Sequence, residues 1–176
     1  MQITWQAEDR DGDRLVYALY FRGEDEREWK LIKRDLYESA YQLDGDVLSD
    51  GRYFFRVTAS DLPGNPPEAA REAELVSSPI LVDNTPPSVA AGAPRWSGRS
   101  VEIEFVATDA AGGLRRAEYS LNAGPWIPVQ ASDGVTDSPR ESFPVRIENV
   151  PPGEQLVVLR VYDASENAGL SKVVLR

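Results

Sequence analysis

The chain repeats itself after about 100 residues, and this self-similarity narrows the architectures open to it more than any other feature. Trp5-Gln6-Ala7-Glu8-Asp9 is echoed by Phe105-Val106-Ala107-Thr108-Asp109, and Tyr17-Ala18-Leu19 by Tyr119-Ser120-Leu121. Arg56-Val57, followed by Asp61 and Asn65, corresponds to Arg160-Val161, followed by Asp163 and Asn167. The closing Asp-to-Asn spacing of four is the same in both copies. Two copies of one small fold are the simplest reading of a 176-residue chain. At roughly 85 residues each copy buries about 60–65% of its unfolded surface, which leaves little margin for a missing element.

Within each copy the hydrophobic period is two. Ile3-Thr4-Trp5-Gln6-Ala7 and Val101-Glu102-Ile103-Glu104-Phe105 alternate apolar and polar residues. Tyr53, Phe55, Val57 and Ala59 share one face, and Phe143, Val145 and Ile147 another. Such alternation places one face on a core and the other in water, as in antiparallel sheets. Turn signals separate the runs: Asp-Gly at 11–12, 50–51 and 133–134, Pro-Gly at 63–64 and Pro-Pro-Gly at 151–153. Only residues 67–76 hint at helix, and they read as a loop or single turn before the last strand of the first copy. The expected fold is all-β: two antiparallel β-sandwich domains in tandem, at 1–83 and 88–176, joined by a Pro-rich linker at 84–87. The paired Pro86-Pro87 stiffen that linker, which predicts a semi-rigid connection.

Composition excludes several functions. There is no cysteine, hence no disulfide, thiol catalysis or thiolate metal site. There is no histidine, which removes the commonest general base and the usual zinc ligand. The net charge is −10, of which residues 1–86 carry −8 from 18 acidic and 10 basic side chains. This balance opposes binding to nucleic acid or to an anionic membrane surface. No apolar run approaches the roughly 20 residues that span a bilayer, so membrane insertion is not expected. No signal-peptide pattern opens the chain, and Met1 reads as an added start because residues 2–7 already read as a strand. The serines and paired carboxylates such as Glu102 and Glu104 have no pocket signal beside them, and no enzyme is expected.

At Leu48-Ser49-Asp50-Gly51-Arg52-Tyr53-Phe54-Phe55-Arg56-Val57-Thr58-Ala59 the first copy resembles a fibronectin type III repeat. That resemblance makes Tyr53 the corner tyrosine, whose hydroxyl bonds to upstream backbone, and Trp5 the core tryptophan of strand B. The Leu48-to-Tyr53 spacing is one residue shorter than the family's usual one. The second copy is a looser relative: Val150-Pro151-Pro152-Gly153-Glu154-Gln155-Leu156 keeps the turn and lacks the tyrosine. Asp163-Ala164-Ser165-Glu166-Asn167 resembles the ending of bacterial immunoglobulin-like repeats, so the second domain is expected to be Ig-like. Tyr17–Trp29, Trp5–Gly12 and Ala117–Trp126 are similar to sandwich modules that follow β-propellers in bacterial extracytoplasmic proteins. The resemblance implies an extracytoplasmic location: periplasmic, secreted or at the cell surface. A fibronectin-type domain has a strand A before its tryptophan-bearing strand B, and here strand B opens the chain. The first domain is either truncated or receives that strand from elsewhere, which leaves an edge open for pairing.

The implied role is a structural or binding module that spaces, caps or mediates contacts. Its partners would be adjacent domains of a longer chain, or another protein at the open edge. Two alternatives come with candidate residues. Trp96, in the turn Pro94-Arg95-Trp96-Ser97-Gly98-Arg99, is either an aromatic platform for carbohydrate or a plug at the end of its sandwich. Asp9, Asp11 and Asp13 around Gly12 alternate as calcium ligands do, yet the glycine is fourth and position twelve is Tyr20, so no EF-hand loop is present. Asp83-Asn84 before the prolines resembles the inter-domain calcium linkers of cadherins, and a calcium-stiffened adhesion repeat is the second alternative. Trp29 and Trp126 hold equivalent places after strand C and are expected to pack over a sheet edge. Arg22-Gly23-Glu24 is not the integrin tripeptide and is rejected.

Overall fold

A computed structural model describes residues 1–176. The chain divides into two compact units, Met1–Asn84 and Thr85–Arg176. Strands account for nearly all the regular structure, and no helix is long and apolar enough to cross a membrane.

The first unit contains β1 (Gln2–Thr4), β2 (Val16–Gly23), β3 (Lys30–Leu36), β4 (Ala40–Gln42), β5 (Gly51–Ser60), β6 (Glu72–Val76) and β7 (Ile80–Val82). One sheet runs β3-β2-β5-β6, with β7 continuing beside β5 where β6 stops. The other sheet is only β1 paired with β4. A single 3₁₀ turn, Gly45–Val47, is capped by the Asp44 side chain. The helical hint in 67–76 resolves into one turn, where Ala69 N and Ala70 N both donate to Pro66 O, followed by β6.

The second unit contains β8 (Ser88–Ala91), β9 (Arg95–Ser97), β10 (Ser100–Thr108), β11 (Leu114–Leu121), β12 (Ile127–Val129), β13 (Arg140–Ile147), β14 (Gln155–Asp163) and β15 (Ala168–Leu175). Its sheets are β13-β10-β8, with β9 hairpinned onto β10, and β12-β11-β14-β15. Strict alternation is visible in β10, β13 and β14, where every second residue is buried.

The two cores differ in size. Fifteen buried residues, among them Phe105, Ile103, Phe143 and Leu159, form the core of the second unit. In the first unit Leu43, Leu48, Phe55 and Val82 form the cluster, with Ile3, Phe21, Tyr41 and Tyr53 among those packed against it, while Trp5, Tyr17 and Leu19 are buried outside it. The cause is geometric: two strands of three residues cannot cover a five-stranded sheet.

Candidate functional site

The open feature of the first unit follows from the pairing of β1. Met1 and Leu43 exchange backbone bonds of 2.8 and 2.9 Å, and Trp5 N donates to Ser39 O at 3.1 Å. Odd-numbered residues therefore face β4. In an antiparallel ladder the intervening residues, Gln2, Thr4 and Gln6, turn their amides and carbonyls to the opposite edge. No strand pairs there.

A groove of about 410 Å3 opens beyond the end of β1, along the segment that follows it. One wall is Trp5–Asp9 and the other is Arg71–Leu75, with Val57 and Ala59 between them. Leu75 is 66% exposed although it stands opposite Val57 on the inward face of β5 and β6. The floor holds Trp5, which is 8% exposed and packs edge-to-face on Tyr17 at 5.4 Å. Its indole Nε1 is buried and has no hydrogen-bond partner. Glu8, Asp9, Asp61, Glu72 and Glu74 contribute to the lining together with Arg71, but the Asp9 and Asp61 carboxylates accept from backbone amides and that of Glu74 pairs with Arg56 at 3.4 Å.

The remaining candidates are occupied in the fold. Tyr53 Oη donates to Ser49 O at 2.9 Å, closing the corner, and Leu48 is buried in the core beneath it. In the second unit Gln155 stands where the tyrosine would be. Its Nε2 donates to Pro152 O and Gly153 O at 3.3 and 3.4 Å, and its Oε1 accepts from Asn122 Nδ2. Sequence reasoning passed over Gln155, because only its place after the Pro-Pro-Gly turn marks it.

Asp9 Oδ1 accepts from the amides of Asp11 and Asp13 at 2.9 and 3.1 Å, while Asp13 Oδ2 accepts from Asn65 Nδ2 at 2.9 Å. These are loop caps of the Asx type, and the three carboxylates do not converge on one point. Asn84 is tied into the same corner as Tyr53: its N donates to Asp50 Oδ1 at 2.7 Å and its Nδ2 to Leu48 O at 2.9 Å. Asp83 is buried. In the second unit Asp109 Oδ1 accepts from Ala111 N and Gly112 N. Asp163, with no exposed surface, accepts from Ser165 N, Asn167 N and Asn167 Nδ2. An oxygen of Asp109 lies within 4.8 Å of one of Asp163.

Trp29 and Trp126 lie against arginines. Arg56 sits 4.7 Å from the Tyr20 ring and 4.8 Å from Trp29, and Arg22 sits 5.1 Å from Trp29 and 4.8 Å from Phe54. Arg160 lies 4.0 Å over Trp126 and 5.1 Å from Tyr162, which also receives Arg116 at 3.4 Å. Cation–π stacking thus absorbs both rings into the sheet surface. Trp96 pairs with the buried Val101 across the β9–β10 hairpin, which puts it on the inward face at the sandwich end, 46% exposed. On the outward face of that sheet Glu102 binds Arg146 at 2.7 Å and Arg95 at 2.9 Å. These two guanidiniums, Arg146 foremost, hold the Glu102 carboxyl below its ordinary range.

The strand orders define the class. Lettered by position, β8, β10 and β13 are strands A, B and E, and β11, β12, β14 and β15 are C, C′, F and G; this is the strand order of the fibronectin type III-like sandwich. The first unit follows the same order from B to G and has no A. Among solved structures the chain is similar to the fibronectin(III)-like modules of Clostridium thermocellum CbhA, with 17% identity over 99% of this chain and 83% of that one, at a TM-score of 0.49. It is also similar to the FN1–FN3 domains of chicken CNTN1, with 17% identity over 99% of this chain and 61% of that one, at a TM-score of 0.43. No family model matches the chain. No curated protein matches it.

Proposed function

We propose that the chain is a non-catalytic contact module that joins a neighbouring domain or protein at the open edge of its first unit. The observation that carries this reading is the unpaired outer edge of β1 beside an uncovered stretch of core. A row of unsatisfied backbone groups next to exposed apolar side chains favours the addition of another strand. A setting outside the cytoplasm, in a longer bacterial chain, is supported by the sequence resemblance. Hydrogen exchange tests the role: the amides of Gln2, Thr4 and Gln6 should exchange quickly in this chain alone and slowly when a neighbouring domain or a strand-bearing partner is supplied. Equal exchange in both would refute edge docking.

Two other readings each have one observation behind them. Trp96 is partly exposed, which leaves carbohydrate binding open to a glycan array; silence across it removes that reading. The approach of the buried Asp109 and Asp163 carboxylates favours calcium stiffening. A melting temperature indifferent to calcium and chelator removes that one.

A further inference from the structure

The outward face of the β3-β2-β5-β6 sheet carries guanidiniums that are held in place but incompletely neutralised. On β5, Phe55 is buried and Tyr53 packs on the core, so Phe54 and Arg56 point away from it. Across the ladder Arg56 pairs with Tyr20 and Phe54 with Arg22, and each arginine stacks on its neighbour's ring. Trp29 joins both stacks, 5.1 Å from Arg22 and 4.8 Å from Arg56. Stacking occupies the flat face of a guanidinium and leaves its in-plane N–H groups free to donate. Arg22 Nη1 donates to the backbone carbonyl of Glu26 at 2.7 Å, while the Glu26 carboxylate is taken by Lys30 and by Gly23 N. Arg56 reaches Glu74 at 3.4 Å, near the outer limit of a hydrogen bond, and its Nε has no partner. The corresponding face of the second unit is closed from within: Arg160 binds Glu118 through Nε and Nη2, and Arg116 binds Glu166 at 2.8 Å.

Independently of the β1 edge, we infer that this face binds another protein through an extended acidic segment whose carboxylates stand two residues apart, as in Glu-x-Glu. Arginine and aromatic side chains carry most of the energy of desolvated contacts, and an arginine already stacked loses less freedom on binding. Arg22 and Arg56 are diagonal neighbours on adjacent strands, with Cα atoms about 7–8 Å apart. Alternate residues of an extended chain are about 7 Å apart, so one carboxylate meets each guanidinium. The row through Tyr20 and Arg56 ends in Leu31 and Val76, 40% and 41% exposed, which suit aliphatic residues flanking the acids. An acidic polysaccharide fits less well, because Tyr20, Trp29 and Phe54 already carry guanidiniums and offer no bare ring to a sugar. The negative charge of the first unit opposes the long-range approach of an acidic partner. Recognition therefore rests on contact at these two groups and not on steering.

The probe is acetyl-Leu-Ser-Glu-Ser-Glu-Ser-Leu-amide, titrated into the 176-residue chain beside two controls, one with Gln for Glu and one with the two Glu adjacent. The Glu-Ser-Glu peptide should shift the Nε–H resonances of Arg22 and Arg56 and the indole resonance of Trp29. Both controls should bind about tenfold more weakly. Arg22→Lys keeps the charge and loses the planar fork, and should weaken the peptide about threefold or more. Native resonances of the buried Leu19 check the folding of that variant. Equal binding of the Gln peptide overturns the acidic partner, and equal binding of the adjacent-Glu peptide overturns the extended segment. Unaltered binding to Arg22→Lys overturns the pairing at that guanidinium. No shift at Arg22 and Arg56 at millimolar peptide overturns the surface itself. Shifts at Gln2, Thr4 and Gln6 in their place move the contact to the β1 edge and leave only that reading standing. Tighter binding of polygalacturonate, or shifts at Arg22 and Arg56 that grow with the concentration of the chain alone, overturn the choice of another protein.

Discussion

Replacing Gly169 by alanine should destabilise the second unit, against the usual sign for that exchange. In a strand interior, Gly→Ala normally gains about 0.5–1 kcal/mol, because glycine loses more freedom on folding. At Gly169 the new Cβ would stand 2.8 Å from the Pro87 carbonyl carbon, closer still to its oxygen, and 3.3 Å from Val89 Cγ2. The neighbour is backbone, which cannot rotate aside. If β8 stays, overpacking costs about 1–3 kcal/mol. If β8 leaves, the burial of Val89 is lost, about 2 kcal/mol, together with four residue pairs along β10. At their middle values both routes outweigh the propensity gain, for a net loss of about 1–2 kcal/mol. In a unit of roughly 90 residues that lowers the melting temperature by about 4–16 °C. Calorimetry measures the drop, and exchange at residues 88–91 separates the two routes. If β8 leaves, Val89→Ala should cost little in the Gly169→Ala background. An unchanged or raised melting temperature would refute the close approach of β8 to β15.

Three further outcomes are expected. Tyr53→Phe should cost the first unit about 1 kcal/mol, the value of the corner hydrogen bond to Ser49 O, seen as a lower denaturant midpoint with unchanged slope. Asp163→Ala removes one acceptor of three bonds from a fully buried site and should cost about 3 kcal/mol or more, with Asp163→Asn milder. The carboxyls of Glu102, Glu166 and Glu26 are lowered by bonds to Arg146, Arg116 and Lys30 respectively, relative to an ordinary 4.5. A carboxyl lowered in the folded state adds stability that is whole above the unfolded value and disappears as pH falls through the folded one. Acid titration should therefore show a loss that sets in near pH 4.5, small because all three groups are exposed, and Arg146→Met should return Glu102 toward its ordinary range in a carbon-detected titration.

What the sequence made legible was local or periodic. Alternation marked β10, β13 and β5 because burial on one face is written directly into every second residue. Tyr53 was readable because its acceptor lies four residues upstream, inside one turn. Features that depend on a distant strand were hidden. Leu75 looks like core in a sequence, and its exposure arises because the two short strands of the facing sheet do not cover it. Gly169 looks like an ordinary strand glycine, and its necessity comes from Pro87, 82 residues earlier. Asp9, Asp11 and Asp13 resemble ligands, yet spacing of two also brings the following amides within reach of Asp9, and the loop takes that option. Gln155 satisfies its corner by position and not by residue type.

The stacking of Trp29 and Trp126 under arginines has an optical consequence. A guanidinium over an indole shifts its absorption and limits its contact with quenchers, so each ring reports on the intactness of its own stack. Trp29 belongs to the first unit and Trp126 to the second. With Trp5 on the groove floor and Trp96 on the β9 hairpin, the four tryptophans divide the chain into separate fluorescent stations. Single-tryptophan variants would let the melting of each unit and the filling of the groove be followed without any added label.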